Sequence, residues 1–173
     1  MSVEMVNFIQ KQWASSSEYS KVEEVLHKLL THLNKPDVLA KIELANQPTK
    51  SSREVQDAFL DEALELGFKD ESKGLFANYH NKALRPDYYL AIENTGIILE
   101  VERGKTTTNN MDFLDFWKCH ICEHAHYLFL MVPKAVMHGN TIKKEFNSVQ
   151  NRLGSFFVEG NYTNVRGLSI FGY

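Results

Sequence analysis

Asp87, Glu100 and Glu102 are the side chains in this sequence with the clearest capacity for chemistry. They lie in Arg85-Pro86-Asp87-Tyr88-Tyr89 and in Leu99-Glu100-Val101-Glu102-Arg103-Gly104-Lys105, within two β-rich runs over 84–92 and 97–103. The polar four-residue connection Glu93-Asn94-Thr95-Gly96 has hairpin length. Pairing Ile92 with Ile97 across it sets Asp87 opposite Glu102 and Tyr89 opposite Glu100. Alternation along a strand then turns Glu100 and Glu102 to one face and Leu99 and Val101 into the core, with directly opposed Cβ atoms about 4.5–5.5 Å apart. Three carboxylates crowded on one patch repel each other, and the patch is tolerable if it is hydrated, partly protonated or neutralised by a cation. A hard divalent ion with oxygen ligands, Mg²⁺ before Ca²⁺, is the apt partner.

The elements that must hold this hairpin can be read from hydrophobic period. Val3, Val6, Phe8, Ile9 and Trp13 form a short apolar stripe read as helical. Ser20-Lys21-Val22-Glu23 is a capping box opening the run Val22, Val25, Leu26, Leu29, Leu30, Leu33. Pro36 suits the first position of a helix over Val38 to Ala45, and Gln47-Pro48-Thr49-Lys50 marks a break. A helical extension over 1–48 followed by one domain over 49–173 is the expected organisation. Ser51-Ser52-Arg53-Glu54 is a second capping box, with Val55, Phe59, Ala63 and Leu66 following at helical spacing until Gly67. After the hairpin, about 110–125 reads as helix, Tyr127–Val132 as a wholly apolar buried strand, about 141–157 as helix and Leu168–Phe171 as a last strand. An α/β fold follows, a mixed central sheet flanked by helices with a crossover into the buried strand.

Composition excludes several classes. The chain has 173 residues, 43% hydrophobic and 24% charged, which is the make-up of an ordinary globular domain of about 100–200 residues. Its longest apolar run falls far short of the ~20 residues that cross a bilayer, so no membrane association is expected. Met1-Ser2-Val3-Glu4 lacks a basic segment with an apolar stretch behind it, and two cysteines make no disulfide framework, so a reducing cytoplasm is expected. Net charge is −3, but residues 1–72 carry 8 basic against 13 acidic side chains whereas 73–173 carry 11 against 9. A polyanion would meet the second part first.

Pro86-Asp87, then twelve residues, then Glu100-Val101-Glu102 resembles the signature of the PD-(D/E)xK nuclease superfamily, the restriction endonuclease-like fold. The resemblance extends over about residues 51–135: a helix with an acid, a hairpin with the motif, a helix and a further strand. It implies that Asp87 is the central metal ligand, Glu100 the second carboxylate and Glu54 an additional helical acid, with Glu102 completing the metal cluster. Most members carry Lys two positions after the second acid, where this chain has Glu102, so Glu102, Lys105 and Lys118 all stand as candidates for that role. The implied activity is Mg²⁺-dependent hydrolysis of DNA phosphodiester bonds, with Mn²⁺ able to substitute, in restriction, phage defence or repair. With one active site per chain, duplex cleavage would call for a homodimer or repeated encounters. The rival on the same fold is a catalytically inactive module that holds nucleic acid or protein, kept open by Glu102 in place of Lys.

Arg85, Arg103, Thr106, Asn109, Asn110 and His120 lie near the motif and are the candidate contacts to nucleic acid; at a helix start such hydroxyls and amides either cap the helix or hold phosphate. Cys119, Cys122 and His126 have a zinc-like spacing but lack a second cysteine pair, so core filling is the favoured reading of the two thiols. Lys134, Lys143, Lys144 and Arg152 supply scattered positive charge on a solvated face.

Overall fold

Strands and helices alternate along this chain, and its sheet takes strands from both the N-terminal and the C-terminal parts. The computed structural model describes residues 2–47, 50–70, 74–81, 84–104, 106–138 and 140–173. Six strands, β1 (Glu4–Ile9), β2 (Lys69–Asp70), β3 (Tyr88–Ile92), β4 (Thr95–Val101), β5 (Tyr127–Val132) and β8 (Gly167–Gly172), form one sheet in the order β1-β8-β5-β4-β3-β2. β5 runs parallel to both β4 and β8, and every other pairing is antiparallel. β5 and β4 are buried along their whole length, which is why β5 reads as an unbroken apolar run rather than an alternating one. Two further strands, β6 (Val136–His138) and β7 (Thr141–Lys143), make a separate antiparallel ribbon.

One sheet face is covered by α1 (Ser17–Leu33), α2 (Pro36–Ala45), α3 (Ser52–Asp57) and α4 (Leu60–Glu65), which share a core with Leu99, Val101 and Phe129. The other face carries α5 (Met111–Ile121) and α6 (Glu145–Gly154), packed on Ile98, Leu128, Leu130 and Ile170. The mixed sheet flanked by helices is thus the expected α/β architecture, and α5 is the crossover between β4 and β5. The expected boundary falls at Pro48 and Thr49, which lie outside the described residues. The first core nevertheless joins Val22, Leu26 and Leu29 to strand residues beyond that point. Among the described residues no helix is long and apolar enough to cross a membrane.

Several expected boundaries move. The apolar stripe at the N-terminus is strand β1, because a six-residue run is too short for its period to distinguish helix from strand and β8 offers it a partner. α1 starts a turn earlier than its apolar run suggests, with the Ser16 hydroxyl accepting from the Tyr19 N–H at 3.1 Å. The Ser51–Glu54 capping box is present, but the helix it opens stops at Asp57 and resumes at Leu60, with buried Phe59 outside helical geometry at φ −131°. The helices expected over 110–125 and 141–157 occupy Met111–Ile121 and Glu145–Gly154, and Thr141–Lys143 pairs as β7 instead.

A candidate active site of four acids and one ammonium

The hairpin register brings the acids together in a way that differs from the expected pairing by two residues. Tyr88 pairs with Leu99 and Ile92 with Thr95, so the connection is only Glu93-Asn94 and the residue opposite Asp87 is Glu100, not Glu102. Gly96 explains the difference. It reads as a turn residue, yet it sits in β4 because a Cβ there would stand 2.8 Å from the Leu90 carbonyl oxygen and 2.9 Å from that of His124. The tight turn is closed instead by Glu93 at φ 49°, in the left-handed region. A shift of two preserves which face each side chain occupies. Glu100 and Glu102 therefore still share the face opposite Leu99 and Val101.

Asp87 stands just before β3. Its Oδ2 accepts from the Val101 N–H at 2.8 Å, and its own N–H donates to Glu100 Oε2 at 3.2 Å. Glu100 is 3% exposed, and its Oε1 accepts from Lys118 Nζ at 2.8 Å. The same ammonium lies 2.9 Å from Asp115 Oδ1, one turn back along α5. Glu102 is fixed through its backbone: its N–H donates to the Met131 carbonyl at 2.8 Å, and its C=O accepts from the Tyr173 hydroxyl at 2.7 Å. The carboxyl groups of Glu102 and Asp115 are close enough to influence each other's protonation, and two ionised carboxylates so placed repel.

Electrostatics follows from that crowding. Burial is the main force raising the pKa of Asp87, Glu100 and Asp115 above the usual carboxylate range, and neighbouring acids add to it at each. Glu102 is pushed up to about 8, first by burial and then by Asp115. Lys118 is held the other way: burial opposes its charge, but Glu100 and Asp115 outweigh it and keep the ammonium protonated. Four acids against one ammonium leave a surplus of negative charge whenever all of them ionise.

That surplus gives a sign to the pH dependence of stability. A carboxyl whose folded pKa is raised contributes stability that is complete below its unfolded value, 4.5 for Glu, and is lost as pH rises through the folded value of about 8. In chelator, the urea midpoint is therefore expected to fall as pH goes from about 5 to 8. Glu102→Gln is expected to flatten that slope. A midpoint that climbs over this window in the wild-type chain would contradict the clustering.

The other sequence candidates are placed as follows. Glu54 is exposed and held locally, accepting from the Ser51 N–H at 2.6 Å and pairing with Lys50 at 2.8 Å, so its pKa is lowered. Residues two apart on a helix face away from each other, and α3 presents Gln56 to the site instead. Buried Gln56 accepts from the Tyr88 hydroxyl at 3.0 Å and hydrogen-bonds the Asp87 carboxyl. Lys105 lies outside the described residues. Arg103 donates to the carbonyls of Gln47 and Lys50, and the Arg85 carbonyl faces Lys118 at 3.4 Å. Thr106 is buried, Asn109 is exposed, and Asn110, at φ 55°, accepts from Arg152 at 2.6 Å. His120 turns to Thr163 at 3.1 Å and stacks on Trp117. Cys119 and Cys122 are buried free thiols in the second core, while His126 meets Thr95 at 2.7 Å.

Asp115 and Gln56 are the two site residues that reading the sequence missed. For Asp115 a signal existed: α5 buries Asp112, Asp115 and Lys118, spaced by three, and leaves Phe113, Leu114 and Trp117 partly exposed. A helix that turns its charges inward is inverted with respect to the usual pattern, and charges spaced that way on a crossover helix mark the face that meets the sheet.

Magnesium fits this donor set by chemistry. Hard carboxylate oxygens are gathered, and Asp115 Oδ2 is buried without a hydrogen bond. As placed, the acids satisfy Lys118 and backbone N–H groups, and among the described residues no three His, Cys, Asp or Glu side chains stand in joint position to hold an ion.

No protein-family model matches this sequence. No curated protein matches it either. Among solved structures, the chain is similar to the restriction endonuclease BglII in its crystal structure complexed with a DNA 16-mer, at 10% identity and a TM-score of 0.52, covering 99% of this chain and 78% of that one. The crystal structure of free BglII aligns at 9% identity and a TM-score of 0.35, covering 99% of this chain and 79% of the other. The first likeness shows that the chain has the restriction endonuclease-like fold.

Proposed function

We propose that this chain is a divalent-metal-dependent nuclease that hydrolyses phosphodiester bonds of DNA. The observation that carries the reading is the convergence of Asp87, Glu100, Glu102 and Asp115, from β3, β4 and α5, around the single ammonium of Lys118 on a restriction endonuclease-like sheet. Asp87 and Glu100, with Glu102 beside them, are the residues that would hold Mg²⁺ or Mn²⁺. When bound, such an ion polarises the phosphoryl oxygen and stabilises charge on the departing one.

The chain's own groups supply the rest. Val101 N–H and Gln56 orient the Asp87 carboxylate, so it meets the substrate without reorganising. Lys118, kept cationic by Glu100 and Asp115, stands in place of the lysine absent at position 102, where it positions the attacking water and offsets charge gathering on the phosphate. Glu102, when not itself a ligand of the ion, is the candidate base for the proton of that water.

The test is incubation of the pure protein with supercoiled plasmid, linear duplex, single strands and RNA in Mg²⁺ or Mn²⁺, each with a chelator control. Cleavage of DNA that needs the ion is expected. Cleavage of none of these, or cleavage indifferent to chelator, overturns the proposal. A second reading, a binding module on the same fold, rests on the pairing of the acids with Lys118 and the backbone rather than with one another around an ion. It predicts no calorimetric signal on Mg²⁺ titration that Asp87→Asn alters.

A further inference from the structure

The ribbon of β6 and β7 lies outside the central sheet, and its outward residues are of the wrong kind for a solvated surface. Met137 and Ile142 are directly paired across it, so their side chains share one face with Cβ atoms about 4.5–5.5 Å apart. They are 62% and 70% exposed. Two large apolar groups side by side on a projecting two-stranded element form a small unpartnered apolar ridge.

The segment that carries the ridge is basic in sequence, with Lys134 at its start paired to Glu4 at 2.6 Å. Residues 133–144 contain Lys134, Lys143, Lys144 and His138 and no Asp or Glu at all. Lys144 is exposed where the ribbon joins α6. Lys143 donates to the hydroxyls of Thr107 and Thr108, in the loop that follows Glu102, and lies 3.5 Å from Glu145. The ribbon also leaves the sheet at the site's end. Met131 of β5 pairs with Val101, the residue before Glu102, and β6 begins five residues later. Its root therefore lies at the same end of the sheet as the acid cluster, and Lys143 ties it to Thr107 and Thr108.

We infer that this ribbon is a duplex-DNA grip, in which Met137 and Ile142 enter a groove and press against the base steps while the lysines at its root meet the flanking phosphates. A two-stranded ribbon fits a DNA groove, and apolar side chains such as Met and Ile are the kind that wedge between base steps. Exposed Lys144, and Lys143 beside it, supply the attraction to a polyanion that an apolar ridge alone would lack. The inference rests on the nuclease reading and assigns to it double-stranded DNA as the substrate class.

The test compares wild type with Met137→Ser/Ile142→Ser and Met137→Leu/Ile142→Leu. Affinity for a labelled duplex is read by fluorescence anisotropy at low salt in Ca²⁺, and cleavage is read separately in Mg²⁺. Both positions are exposed, so the thermal melt of each variant is expected to match that of wild type. The serine pair is expected to weaken duplex binding about tenfold, equivalent to about 1.4 kcal/mol, and the leucine pair to restore it. Unchanged duplex affinity in the serine pair, with wild type binding and cutting, overturns the grip and leaves the nuclease standing. Loss of a dimer in the serine pair with duplex affinity intact makes the ridge a self-association surface and also overturns it. Failure of wild type to bind or cut any DNA overturns both.

Discussion

Asp87→Asn is expected to lower metal-dependent DNA cleavage by on the order of 10³-fold while making the metal-free protein more stable, not less. The activity loss follows from position. Asp87 contacts Glu100 directly, through its N–H at 3.2 Å, and it is held in place by Val101 N–H. Asparagine keeps the size and the acceptor for Val101 N–H, so the hairpin need not move. The gain in stability follows from charge. Asp87 raises the pKa of Glu100, Glu102 and Asp115, so a neutral side chain there relieves repulsion on three buried or half-buried neighbours. Urea denaturation in chelator at pH 8 measures the second effect and a plasmid-nicking time course the first. A variant that cuts at the wild-type rate, or whose urea midpoint drops, would show that Asp87 is not the centre of a charge-crowded site. The pairing of lost activity with gained stability separates this from a folding defect.

Lys118→Met is expected to have the opposite effect on stability. The ammonium is buried between Glu100 at 2.8 Å and Asp115 at 2.9 Å and is the only cation in contact with either among the described residues. Methionine fills a similar volume, but it leaves carboxylates buried without their counter-charge, and breaking such a pair from one side costs about 3–5 kcal/mol. Part of that cost is avoided when the acids take up protons, so the loss at pH 8 is expected to exceed the loss at pH 5.5. Cleavage is expected to fall with it, because the same ammonium is the one placed to offset charge on phosphate. Equal destabilisation at both pH values would mean that Lys118 contributes packing rather than charge.

The sheet face shared by Glu100 and Glu102, the buried strand β5 and the amphipathic helix α1 were legible in the residues themselves. Each depends on a local pattern that side-chain type reports directly: alternation for the two glutamates, an unbroken apolar run for β5 and a period of 3.6 for α1. The hairpin shows where such reading stops. Alternation places Leu99 and Val101 inward under either register, but the pattern does not show that position 96 lies in the strand, where close approach of the Leu90 and His124 carbonyls leaves room only for glycine. His124 is distant in sequence, so the constraint has no local trace.

The helical acid is a second such case. Glu54 matches the resemblance by position, yet the N-terminal geometry of α3 uses it to cap Ser51, and the buried face of that helix carries Gln56. Lys118 and Asp115 are a third. The sequence holds their spacing, three apart on one helix face, but whether that face meets Glu100 depends on how α5 crosses over the sheet between β4 and β5.

Taken alone, the sequence determined the fold class and the shared face of the two glutamates, because burial and periodicity are properties of neighbouring residues. The tertiary structure decided which acid lies opposite Asp87, which helical side chain supports it and that a lysine from a crossover helix sits among four acids. Those outcomes depend on contacts between segments far apart in the chain, where close packing permits one arrangement and the pattern of residues permits several.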